Sequence, residues 1–139
     1  MTKTILIVEK NKEIAEKNKS IIEHAGFKAI TAWTAEKALA IINSKNRPDL
    51  VVTEVILEKE DSGFVLSYKI KSNPETAHIP VLILTDVNNL GVDYNFDLKT
   101  DEARTWLKAD RFYNKPIRPV DFIARIRKRL GMSASEQAH

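Results

Sequence analysis

A chain of 139 residues, 43% apolar and 29% charged, has the length of one domain and the composition of a globular protein with a real hydrophobic core. It has no cysteine, which excludes disulfides, thiolate metal sites and thiol nucleophiles. No apolar run reaches the length of a membrane span, and the N-terminus turns polar too soon for a signal peptide, so a cytoplasmic location and no membrane contact are expected.

Thr4 to Val8 is a continuous apolar, β-branched run, the pattern of a strand buried on both faces. Asn11 is placed to cap a helix in which Ile14, Ile21, Ile22 and Ala25 recur at helical spacing, with Gly26 as its stop. Phe27 to Thr31 is a second short strand, and Thr34 caps a second helix whose buried side is Ala38, Leu39, Ile41 and Ile42. Pro48 breaks the chain before a third strand, Leu50 to Glu54, which delivers one carboxylate at its carboxyl end. Gly63 leads into a third helix that Asn73-Pro74 ends, and Ile79 to Leu84 is a fourth strand finishing at Thr85-Asp86.

The segment Asn88 to Lys108 fits less simply. It carries Tyr94, Phe96, Leu98 and Trp106 among acids and amides, and Thr100-Asp101-Glu102 reads as the capped start of a short helix. Its aromatics are expected to pin it to the body. Arg111 to Asn114 is a short fifth strand followed by Lys115-Pro116, and Pro119 suits the first turn of a last helix. In that helix Phe122, Ile123, Ile126 and Leu130 point inward. Its Arg125, Arg127, Lys128 and Arg129, with Arg118 before them, form a basic stripe facing the single acid Asp121, which explains most of the formal charge of +3. A solvated helix face accounts for such a stripe more simply than phosphate binding, so nucleic acid is not expected as a partner. Residues 1–131 form one domain, and 132–139 are a polar tail expected to be disordered.

Alternating βα units with apolar strands indicate a parallel sheet covered by helices on both faces. In such sheets chemistry sits beyond the carboxyl ends of the strands, where the strand order reverses. Glu54 lies there. Competing sites are weak: His24, His78 and His139 lack metal-ligand spacing, Ser62-Gly63 sits in no Gly-x-Ser-x-Gly elbow, and no phosphate-cradling glycine loop is present.

Taken together, Ile5-Leu-Ile-Val8 with a polar triplet after it, Pro48-Asp-Leu-Val-Val-Thr-Glu54, Gly63 nine residues on, Leu82-Ile-Leu-Thr85 and Lys115-Pro116 resemble the receiver domain of bacterial two-component response regulators over residues 3–131. The resemblance implies a flavodoxin-like, doubly wound, five-stranded parallel sheet of order 2-1-3-4-5, with two helices on one face and three on the other. It also implies a site: two adjacent acids that help hold Mg²⁺, an aspartate that takes a phosphoryl group from a histidine kinase, a Thr or Ser, a Lys, and an aromatic that moves inward. By position the acid pair is Glu9 and Lys10, the acceptor is Glu54, the hydroxyl is Thr85, the lysine is Lys115, the aromatic is Phe112, and the metal's carbonyl comes from Ile56.

Two positions depart from that pattern. Glu54 is one methylene longer than Asp, which carries its carboxylate roughly 1.5 Å further out, and misplacement by about 1 Å costs on the order of a hundredfold in rate. Lys10 offers no lone pair when charged and sets a cation where a cation should bind, so Mg²⁺ binding is expected to be weak or absent and no other cofactor is implied. Lys10 and Lys115 are therefore expected to flank Glu54 and hold its carboxylate. The expected protein is a stand-alone atypical receiver, not an enzyme, that works through contact with a signalling protein. Its partner would be a histidine kinase, a regulated target or a second copy, met through the fourth helix, fifth strand and fifth helix. The alternatives are a working phosphoacceptor with weak Mg²⁺ use, or a last helix that binds nucleic acid.

Overall fold

The structure, a computed structural model, describes residues 2–57, 59, 62–85, 111–114 and 117–132, with the side chains of 85 and 111–114 outside the description. The elements are β1 (Thr4–Val8), α1 (Lys12–His24), β2 (Lys28–Ala32), α2 (Ala35–Ile42), β3 (Leu50–Thr53), α3 (Ser62–Ser72), β4 (Val81–Thr85), β5 (Arg111–Asn114) and α4 (Pro119–Arg129). The five strands pair in the order β2-β1-β3-β4-β5, every neighbour parallel, as expected from the sequence.

Local chemistry starts and stops these elements where the sequence signals it. Asn11 Oδ1 accepts the Ile14 N–H at 3.1 Å and Thr34 Oγ1 accepts that of Lys37 at 3.1 Å, each satisfying a donor that the helix cannot. Helix α1 closes with Gly26 at φ 96°; its N–H reaches Glu23 O and that of Phe27 reaches Ile22 O, the paired bonds of a left-handed helix end. This bond also shifts β2. Phe27 donates backward to the helix, so the ladder begins at Lys28, one residue later than the sequence suggests. Pro80 has no N–H to give, and β4 correspondingly begins at Val81.

Successive strand residues point to opposite faces, which divides the core in two. Leu6, Val8, Val51, Val81 and Ile83 pack with Ala38, Ile42, Phe64, Leu66 and Ile70 of α2 and α3. Ile5, Ile7, Leu50, Val52, Leu82 and Leu84 pack on the other side with Ile22 of α1 and Phe122, Ile123 and Ile126 of α4. Helices α1 and α4 therefore share one face, and α2 and α3 share the other. The segment Asn88 to Lys108, its expected fourth helix in a set of five, and the tail 133–139 lie outside the described residues.

Candidate functional site

The chain leaves β1 in one direction to build β2 and returns on β1's other side to build β3, so the strand order reverses between β1 and β3. A crevice opens there beyond the strand ends. Register pairs Val8 with Thr53, which brings Glu9 and Glu54, the next residue on each strand, to its mouth. The Glu54 N–H donates to Val8 O at 3.0 Å, and the Glu9 N–H donates across to Ala32 O at 3.0 Å. These bonds carry the ladder one residue past each strand.

The Glu54 backbone is held from several sides. Thr53 Oγ1, fully buried, donates to Glu54 O at 3.0 Å. The first turn of α3 lies hard against the same peptide: a β-carbon on Gly63 would come 2.0 Å from Glu54 O and 2.7 Å from Val55 Cα. Only glycine permits that approach, and the Gly63 N–H uses it to donate to Val55 O at 2.8 Å. Gly63 thus stands inside α3, not ahead of it. The extra methylene of Glu54 lets the half-buried side chain curl back, so that Oε2 accepts the N–H of Val55.

The expected clamp by Lys10 is not formed. Glu9 is turned inward and is 4% exposed, its Oε2 accepting the Asn11 N–H at 3.1 Å. Residue 10 lies past the end of β1, at a bend: Lys10 is exposed and makes no ion pair or hydrogen bond through its side chain. The link between the end of β1 and the Asn11 cap is only two residues long and leaves position 10 open to water. A hydrated ammonium also avoids the desolvation that a buried ion pair demands.

Sequence reasoning missed Asn18. It lines the crevice floor with Glu9, Thr53 and Glu54, in a space of about 10 Å³, which is room for a single water. The signal was there: a half-buried amide standing between Ile14 and Ile22 on the inward stripe of α1.

Magnesium takes hard oxygen ligands in a near-octahedral array. Among the described residues at the crevice, the carboxylates are those of Glu9 and Glu54, each with one oxygen already accepting a main-chain N–H. Among the described residues no group of three or more His, Cys, Asp or Glu is gathered as a metal site. Lys10 adds no oxygen to these donors, and water ordinarily completes the shell of an ion held by so few carboxylates.

Of the remaining expected site residues, β4 ends at Thr85 and β5 places Phe112 opposite Ile83, but the side chains of both lie outside the described residues, as does all of Lys115. The basic stripe of α4 is split. Arg127 turns toward α1, its Nη2 donating to Ala25 O at 3.4 Å, while Arg125 and Lys128 face outward. Among the described residues no helix is long and apolar enough to cross a membrane.

The family model for the response regulator receiver domain matches residues 5–127. The polar-differentiation response regulator DivK of Brucella ovis is 30% identical over 132 residues, spanning 94% of this chain and 98% of its own. A candidate response regulator from Chloroflexus aurantiacus superposes with a TM-score of 0.78 at 27% identity, covering 94% of this chain and 99% of that one. The receiver domain of a signal transduction histidine kinase from Syntrophus aciditrophicus gives 0.75 at 27% identity, covering 93% and 90%.

Proposed function

Because this chain belongs to the response regulator receiver family, we propose that it passes signals by protein contact without the usual aspartyl phosphorylation cycle, and that it is not an enzyme. The observation that supports this most is Glu54, a longer carboxylate at the acceptor position whose oxygen is turned back onto the neighbouring N–H of Val55. Phosphoryl transfer needs the attacking oxygen in line with phosphorus while a cation neutralises the growing charge. Glu54 would have to break its own bond and reach past its usual length, and Lys10 removes an oxygen from the metal's shell. Mg²⁺ binding is weak or absent in this reading.

Thr85, Lys115 and Phe112 act in it as switch residues, with Lys115 supplying the cation beside Glu54 that Lys10 does not. Glu54 brings about one negative charge to a place where a phosphorylated acceptor brings nearly two. The partner is a signalling protein, a kinase or its regulated target. The described surface that supports such contact is an apolar groove of about 500 Å³ between α1 and α4, lined by Ile21, Ala25, Ile123 and the 68%-exposed Val120.

The test is labelling by a small acyl-phosphate donor with and without Mg²⁺. Wild type should take up no label, and the double variant Lys10→Asp with Glu54→Asp should recover Mg²⁺-dependent labelling. Equal labelling of wild type and double variant would sink the proposal.

A further inference from the structure

The crevice floor gathers lone pairs. Its space of about 10 Å³ is lined by Glu9, Asn18, Thr53 and Glu54 among aliphatic side chains of β1, β3 and β4. Three of these four polar groups can only accept. An ionised carboxylate has no hydrogen to give, and Glu9 and Glu54 each already take a main-chain N–H, from Asn11 and Val55. Thr53 Oγ1 spends its single hydrogen on Glu54 O at 3.0 Å, so it too faces the space as an acceptor. Acceptors confined together away from bulk water are costly unless hydrogens stand between them.

Asn18 is the one member of this set with hydrogens to spare. It is half-buried on the inward stripe of α1, and among the described residues its amide makes no hydrogen bond. Asn18 and Leu84 also line an open groove of about 230 Å³, where Ile14, Ile21, Ile117 and Phe122 are among the other walls. The amide thus has an open groove on one side and the carboxylates on the other. A half-buried amide in that position takes its partner from water.

We infer that Asn18 is a positioning residue: its NH₂ group holds one ordered water at the crevice floor, and that water turns its hydrogens toward the carboxylates of Glu9 and Glu54. The space has the volume of one molecule, and the polar groups around it outnumber the two that a held water needs. The amide donates to the water oxygen, and the water donates to the residue that follows each strand, β1 and β3. The link ties Glu54 to the middle of α1 and provides a hydrogen-bond donor that Lys10, facing solvent, does not. The assignment is independent of whether Glu54 ever accepts a phosphoryl group.

The experiment is water-selective NOE spectroscopy of the ¹⁵N-labelled full chain, with Asn18→Leu and Asn18→Asp beside wild type. In wild type the Asn18 NH₂ protons should show contact with a water that tumbles with the protein, the sign that separates a held molecule from surface hydration. Asn18→Leu keeps the size of the side chain without its donor, and Asn18→Asp replaces the donor by a third carboxylate. Each should abolish the held water's orientation and move the amide signals of Glu9, Glu54 and Val55, Asn18→Asp the further, with those of α2 and α3 in place. An Asn18 that only fills space predicts otherwise, since Leu on an apolar stripe would leave the strand ends as they are. Asn18 NH₂ protons in contact only with fast-moving solvent would overturn the inference, and wild type alone decides this even where a variant fails to fold. So would unmoved Glu9, Glu54 and Val55 signals in both folded variants.

Discussion

The two ends of the sheet use the same residue types in opposite ways. At the amino end, charged and polar side chains tie one element to the next, and in two cases, Asp49 with Thr4 and Arg47 with Glu75, to a distant one. Asp49 Oδ2 accepts the Thr4 N–H at 2.7 Å, and the Asp49 N–H returns a bond to Thr4 O at 2.8 Å. Arg47 joins the end of α2 to the α3–β4 connection, donating to Ile42 O at 3.0 Å and to Glu75. Lys71 donates to Ala77 O and Ile79 O, and buried Thr76 to Ile70 O. At the carboxyl end, Glu9 and Glu54 accept from N–H groups two and one residues away, and Lys10 faces water. A side chain that staples distant backbone is fixed by the fold. An exposed side chain such as Lys10 can change identity while the fold persists.

Gly63 is where the carboxyl end breaks this rule, and it yields the largest expected effect. Gly63→Ala places a methyl group 2.0 Å from Glu54 O, a clash with backbone that no side-chain rotation relieves. Either α3 withdraws, losing the Gly63 N–H bond to Val55 O, or the Glu54–Val55 peptide turns. Urea unfolding should show a loss of about 3 kcal/mol, and amide shifts should move at Glu54 and Val55. A midpoint unchanged from wild type would mean that the contact is not maintained in solution.

That contact shows what the sequence could and could not tell. Strands of solid apolar residues, the caps at Asn11 and Thr34, the stop at Gly26 and the start at Pro119 are local signals, and each stands within a residue or two of where the sequence put it. Gly63 was legible as a mark of position, but its reason is a long-range approach of α3 to β3 that no local pattern contains. Lys10 was misplaced because charge was weighed before direction. It stands beyond the last strand residue, Val8, at a bend where neither sheet face covers it. Asn18 was passed over as one polar residue on a helix, although its place in the Ile14–Ile22 stripe set it beside the crevice.

Asp49 tests the amino end. Asp49→Ala removes the acceptor of the half-buried Thr4 N–H and should destabilise the protein by about 2 kcal/mol, in the range of a charge-assisted bond whose partner is left unsatisfied. Asp49→Asn keeps an oxygen in place and should lose about half as much. Equal midpoints for all three proteins in urea would remove Asp49 from the set of staples. The crevice should be indifferent to either change, so Glu54 shifts serve as the internal control.

The smallest expected effect separates the two ends most sharply. Were Lys10 the partner of Glu54, truncating it would strand a carboxylate in a half-buried site, a loss of about 3–5 kcal/mol. With Lys10 in solvent, Lys10→Ala should change stability by no more than about 0.5 kcal/mol, and raising the salt concentration should not alter the difference between the two proteins. Lys10→Asp alone should be similarly mild for folding, because the position is exposed. The consequence bears on chemistry: if position 10 can be exchanged without disturbing the fold, the double replacement at 10 and 54 reports on phosphoryl acceptance itself and not on a damaged scaffold. A loss of several kcal/mol in Lys10→Ala would instead place the ammonium inside the crevice beside Glu54.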